Sequence, residues 1–130
     1  MIVDRLNSIE LLDYYIDKNI QYSFGRPNYA DPISYTIRTK SGGCDELALL
    51  GQTALNRAGY KTEARRIGSD SELHVGLVVK LDDGKYILAV NFKTSNVVTG
   101  PHNSLYEADQ ALGYRPSMGY RGSFNFHRWE

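Results

Sequence analysis

The chain has 130 residues, 42% of them hydrophobic, with 15 Lys/Arg balanced by 15 Asp/Glu. This fits one domain spanning residues 1–130, large enough to hold a core without disulfide or metal staples. The cancelled charge supplies no global field toward nucleic acid or an acidic membrane, and a single cysteine excludes an internal disulfide. Charge in Met1-Ile2-Val3-Asp4-Arg5-Leu6-Asn7 falls where a signal peptide has its apolar core, and no apolar run approaches the ~18 residues of a membrane span. The expectation is a protein of a reducing compartment, cytoplasmic or delivered as an effector or toxin domain.

Leu6, Ile9, Leu12, Ile16 and Ile20 recur at steps of three and four, one face of an amphipathic helix of about four turns. Tyr22 to Tyr29, punctuated by Gly25 and Pro27, reads as its exit. Asp31-Pro32 opens a short segment to Arg38 whose type the pattern leaves open. Gly42-Gly43 then feeds a second helix whose stripe is Cys44, Leu47, Ala48, Leu55 and Ala58, with Gly59 as its stop. Its small residues Ala48, Gly51 and Ala54 suit close packing on a sheet. Lys61–Ile67 is a candidate strand. Leu73–Leu81 and Tyr86–Phe92 alternate around Asp82-Asp83-Gly84-Lys85 and predict a hairpin. Leu105–Leu112 is a candidate short helix, and Gly119–Trp129 a candidate last strand.

A two- or four-residue loop makes Val75 oppose Phe92, Leu77 oppose Val90, Val79 oppose Leu88 and Leu81 oppose Tyr86. One face is then continuously apolar, which fixes register in a half-buried sheet. On the other face Gly76 opposes Asn91, and His74 becomes a diagonal neighbour of Asn91. A three-residue loop without a bulge would break this arrangement.

Cys44, at the expected start of a helix, faces unpaired N–H groups and the positive end of the helix dipole, both of which favour thiolate. Nucleophile Cys44, base His74 and orienting amide Asn91 form the chain order of a cysteine acyl-transfer enzyme. Asp45 and Glu46 oppose a thiolate next door, so the reading assigns a low thiol pKa mainly to His74. Gly42 and Gly43 allow close approach of substrate backbone beside the helix N–H groups that could hold an oxyanion. Gln21, Tyr22 and Tyr35 are candidates for a second donor. Gly76 leaves space beside His74 and Asn91 for the helix terminus, or else marks a bulge.

Three scattered histidines and one cysteine offer no zinc-ligand spacing, so no metal or organic cofactor is expected. No phosphate-binding glycine loop is present, and the spaced arginines lack a stacking motif for nucleic acid. His102 and His127 read as surface residues. The expected partner is a protein or peptide substrate.

The ordered blocks resemble the transglutaminase-like superfamily of papain-fold cysteine enzymes, over about Leu11 to Phe92. The blocks are Tyr15-Ile16-Asp17-Lys18-Asn19-Ile20-Gln21-Tyr22; Gly42-Gly43-Cys44-Asp45-Glu46-Leu47-Ala48 through Ala58-Gly59-Tyr60; His74-Val75-Gly76-Leu77-Val78-Val79; and Asp83-Gly84-Lys85 through Asn91. The third triad member, usually Asp in that family, is Asn91, as in papain-like proteases. The aromatic residue common two positions after the histidine is Gly76. The resemblance, strongest to short bacterial members, implies an α+β papain-like/transglutaminase-like fold, with the nucleophile helix packed on an antiparallel β-sheet. It implies acyl transfer from a glutamine side chain or peptide amide through a thioester, the acceptor deciding between protease, deamidase and transglutaminase. The alternative is a catalytically silent fold of this type acting as a protein-binding module.

Overall fold

The computed structural model describes residues 2–23, 29–69 and 72–128. The expected exit segment around Gly25 and Pro27, and Trp129, lie outside the described residues. A short 3-10 turn, Ile2–Arg5, precedes helix α1, Ile9–Asn19. Ser8 starts α1 because its hydroxyl accepts the Leu11 N–H at 3.1 Å, satisfying a donor with no intrahelical partner. The apolar face is as expected, with Leu12 and Ile16 fully buried, but Leu6 and Ile20 flank the helix rather than extend it. The open segment is helix α2, Ile33–Thr39.

Strands β1 (Gln21–Tyr22) and β3 (Ser41–Gly42) form a parallel pair. Another parallel pair joins β2 (Tyr29–Ala30) to β9 (His127–Arg128). Helix α3, Cys44–Arg57, occupies the expected residues. It lies on a five-stranded sheet of order β7-β6-β5-β4-β8. These strands are β4 (Lys61–Ser69), β5 (Glu72–Lys80), β6 (Tyr86–Val90), β7 (Thr99–His102) and β8 (Tyr120–Ser123). Every neighbouring pair in the sheet is antiparallel. The expected last strand is therefore two short ones, β8 and β9.

The architecture is α+β, with a helix on each face of the sheet. Under α3, Leu47, Leu50, Ala54 and Leu55 meet Ala64, Val75, Leu77, Val79 and Val90. Gly51 permits the approach: a Cβ there would stand 2.8 Å from Val90 Cγ2 and 3.1 Å from Leu77 Cδ2. On the opposite face α4, Leu105–Leu112, sets Ala108 and Leu112 over Ile67, Val78 and Leu88. Asp109, wholly buried, clamps α4 to the sheet. It accepts from Arg65 Nε at 3.0 Å and Nη2 at 2.7 Å, and pairs with Arg121 Nε at 2.7 Å.

The hairpin departs from the expected register in its turn-proximal half. Leu81 N–H bonds the Lys85 carbonyl at 2.8 Å, so the loop has three residues, Asp82 to Gly84. Lys80 then opposes Tyr86, Val79 opposes Ile87 and Val78 opposes Leu88. A bulge between Leu77 and Val78 restores the expected pairing, so that Leu77 opposes Val90. The reason is that both faces are buried. With α4 over Val78 and Leu88, the apolar pattern no longer prefers one parity, and Ile87 rather than Leu88 joins the α3 face. No helix among the described residues is long and apolar enough to cross a membrane.

Candidate active site

Cys44 is the first residue of α3 and is partly buried. The backbone N–H groups of Val75 and Asp45 lie close enough to its sulfur to stabilise the thiolate. The Val75 contact is available because β6 ends at Val90, leaving the end of β5 without a neighbour on that side. The sulfur therefore sits on the residue that follows His74. His74 Nε2 and Asn91 Oδ1 are 2.8 Å apart. With Oδ1 as acceptor, the ring proton is on Nε2 and Nδ1 carries the lone pair; no hydrogen bond joins His74 to Cys44 among the described residues. The bulge therefore preserves the expected meeting of His74 and Asn91 despite the three-residue turn.

Asn91 is itself held by a residue that no sequence signal singles out. Asn96, 7% exposed, accepts the Asn91 N–H at 2.9 Å through Oδ1. Its amide nitrogen donates to Asp13 Oδ1 at 2.8 Å and to the carbonyl of Ala89, the bulge residue, at 3.0 Å. Its backbone N–H donates to Asp17 Oδ1 at 2.9 Å. Asn96 thus ties the bulge and the end of β6 to α1. It lies in an irregular turn with no periodic or motif signal.

The resting charge state differs from the sequence expectation. Burial pushes the Cys44 thiol up. The Val75 N–H pulls it back, Asp45 and Glu46 raise it, and the Asp45 N–H lowers it. Burial likewise holds His74 below the usual imidazole value; the Asn91 hydrogen bond opposes this and nearby Lys93 adds to it. Desolvation disfavours both ions and outweighs the helix terminus. Both directions favour a neutral thiol and a neutral imidazole over thiolate and imidazolium.

Glu46, 2% exposed, bridges the loop before the helix. Its carboxyl accepts the Gly43 N–H at 2.9 Å and the Asp31 N–H at 3.3 Å. Burial and its hydrogen bond to Asp45 push it up to about 8. Asp45 Oδ1 also accepts the Glu46 N–H at 3.0 Å.

Among the expected oxyanion and substrate residues, Tyr22 lies within electrostatic reach of Cys44. Its ring packs on Phe92 with centroids 5.7 Å apart. Burial raises its phenol, and the negative charges of Cys44, Asp45 and Glu46 add to the rise. Gln21 is exposed and, adjacent to Tyr22 on one strand, points to the opposite side, so that expectation is corrected. Tyr35 is 45% exposed and stacks under Arg38. The Gly43 N–H is taken by Glu46, which removes it as an oxyanion donor. Its lack of a side chain instead admits Ser23 O, which would stand 3.0 Å from a Cβ. The Cys44 N–H remains, at a helix terminus where no intrahelical carbonyl can take it. Gly76 is corrected too. Leu112 fills the space above it, with Cδ1 2.5 Å from a notional Cβ, so the glycine admits α4 and not the thiol. His102 lies in β7, half-buried, with Nε2 2.9 Å from Thr99 Oγ1, rather than in a surface loop. The His127 side chain is outside the described residues. No group of His, Cys, Asp and Glu among the described residues could hold a metal ion.

No protein-family model and no curated protein matches the chain. Among solved structures it is similar to a candidate cysteine protease from Cytophaga hutchinsonii, with TM-score 0.52 and 18% identity over 93% of this chain and 43% of that one. The fold is papain-like. A candidate protease from Parabacteroides distasonis gives TM-score 0.45 and 14% identity over 74% of this chain and 24% of that one. The chain spans less than half the length of either structure.

Proposed function

We propose that the protein is a cysteine-dependent amide hydrolase or acyltransferase using Cys44, His74 and Asn91. The observation that carries this reading is the 2.8 Å His74–Asn91 bond beside a helix-terminal thiol seated on the Val75 N–H. As Sγ attacks an amide carbonyl, its proton passes to His74 Nδ1. The Asn91 oxygen keeps the ring oriented, and the Cys44 N–H and Tyr22 phenol face the developing oxyanion. Collapse breaks the C–N bond, and the imidazolium returns the proton to the departing amine or ammonia. The thioester left on Sγ is then taken by water, giving cleavage or deamidation, or by a lysine amine, giving a crosslink. The neutral resting pair requires that proton transfer accompany attack.

A substrate panel tests this reading: ammonia release from glutamine peptides, cleavage of peptide bonds, and amine incorporation. Turnover in any arm, lost in Cys44→Ala and His74→Ala with the fold retained by circular dichroism, is the expected result. Iodoacetamide labelling of the single thiol should rise only above the ordinary thiol pKa and shift little in His74→Ala. A labelling pKa far below that value would refute the neutral pair. The raised thiol also favours a second reading, a silent fold serving as a protein-binding module. That reading holds if all three arms remain inactive.

A further inference from the structure

Arg66 is unlike the arginine next to it in sequence. Arg65 meets Asp109, Glu63 and Ser123. Among the described residues Arg66 meets rings: its guanidinium lies 4.8 Å from the Tyr120 centroid and 5.6 Å from that of Phe124. Its Nε is buried with no hydrogen-bond partner among the described residues. A buried donor without an acceptor is uncommon and costs free energy unless something else supplies the acceptor. The two rings also hold the guanidinium in one orientation, which lowers the entropy cost of engaging a ligand.

The register relates this group to the thiol. Arg66 opposes Val75 on one side and Gly122 on the other, so the three form one rung across β5, β4 and β8. Arg66 shares its face with Ala64, two residues away on β4, which belongs to the α3-side core with Val75 and Phe124. The sulfur of Cys44 sits at the Val75 end of that rung. Tyr120 and Phe124 flank Gly122 at the other end. Two to three strand spacings separate thiol from guanidinium, on the order of 10–15 Å, the reach of about three extended residues.

We propose that Arg66 is an anion subsite on the thiol's side of the sheet, binding a carboxylate carried by an extended peptide substrate about three residues from the acyl group that Cys44 attacks. This rests on the acyl-transfer reading. A planar guanidinium with unpaired N–H groups against apolar rings matches a carboxylate through charge-assisted, bidentate hydrogen bonds, which strengthen where water is excluded. It selects acidic peptides over their amide counterparts.

The test uses two thiol-directed probes on the full chain, iodoacetyl-Gly-Gly-Glu-amide and its Gln counterpart, with labelling of Cys44 followed by intact mass. Their rate ratio cancels any change in the thiol itself. The wild type should label about ten-fold faster with the Glu probe, the size of one charge-assisted hydrogen-bonded contact. Arg66→Gln should bring the ratio to about one, and Arg66→Lys, which keeps charge but loses the fork, should fall between. A wild-type ratio near one, or one unmoved by both substitutions, overturns the proposal. So does failure of both peptides to label where iodoacetamide succeeds, since the rung is then closed to peptide. A preserved Arg66-dependent ratio in a protein inactive on every amide substrate would overturn the acyl-transfer reading and leave the subsite standing.

Discussion

Glu46 gives the stability of this fold an inverted pH dependence. Its carboxyl is held at about 8 instead of the ordinary 4.5, because burial and Asp45 disfavour its ionised form. Between those values the folded chain carries a proton that the unfolded chain has lost, so stability falls as pH rises through the window and levels off above about 8. The full interval corresponds to roughly 5 kcal/mol, and sharing of the proton with Asp45 reduces it to a few kcal/mol. The helix N-terminus opposes this by only about 0.3–1 kcal/mol, too little to reverse the sign. Glu46→Gln removes the ionisation while keeping an acceptor for the Gly43 N–H and a donor toward Asp45. The variant should match the wild type within about 1 kcal/mol at pH 5, allowing for the long Asp31 contact, and exceed it by a few kcal/mol above pH 8. Urea unfolding at pH 5, 6.5 and 8.5, with m-values compared, measures both curves. Parallel curves, or a variant weaker than wild type at pH 8.5, would refute the reasoning.

Asn96→Ala strands the Asn91 N–H and the Ala89 carbonyl, so unfolding free energy should drop by about 2–3 kcal/mol. The His74 Nε2–H resonance should broaden or vanish as Asn91 loses its anchor; an unchanged resonance would remove Asn96 as a positioning residue. Asp109→Ala leaves Arg65 buried without its main counter-charge and should cost about 3–5 kcal/mol. Asp4→Ala, breaking the exposed Arg57 pair, should cost less than about 1 kcal/mol. Denaturant titration of both variants checks the contrast, and equal losses would contradict it.

Helix α3, the strands of the hairpin and the meeting of His74 with Asn91 were legible because their signals are local. A glycine pair before a helix stripe and two alternating runs around a turn need little tertiary context. The two-residue pairings β1–β3 and β2–β9 have no period to detect, and β7 begins beside an irregular turn. The register near the turn was misjudged because α4 buries the face assumed to be open. Gly76 signalled a close approach but not which element approaches, and it is Leu112 that does. The charge state of Cys44 depends on burial, a property of the assembled core, so a helix-terminus argument alone gives the wrong sign.

The three-residue turn and the bulge at Ala89 also act together. A two-residue turn without a bulge and a three-residue turn with one reach the same pairing at Leu77 and Val90. The hairpin is thus a strand with a slip joint. A change of one residue in the turn can be absorbed by gaining or losing the bulge, and the half that carries His74 and Asn91 does not register it. The exposed turn Asp82 to Lys85 is free to vary in length over evolutionary time while the site keeps its alignment. In comparisons of related chains, gaps belong as naturally at position 89 as in the turn.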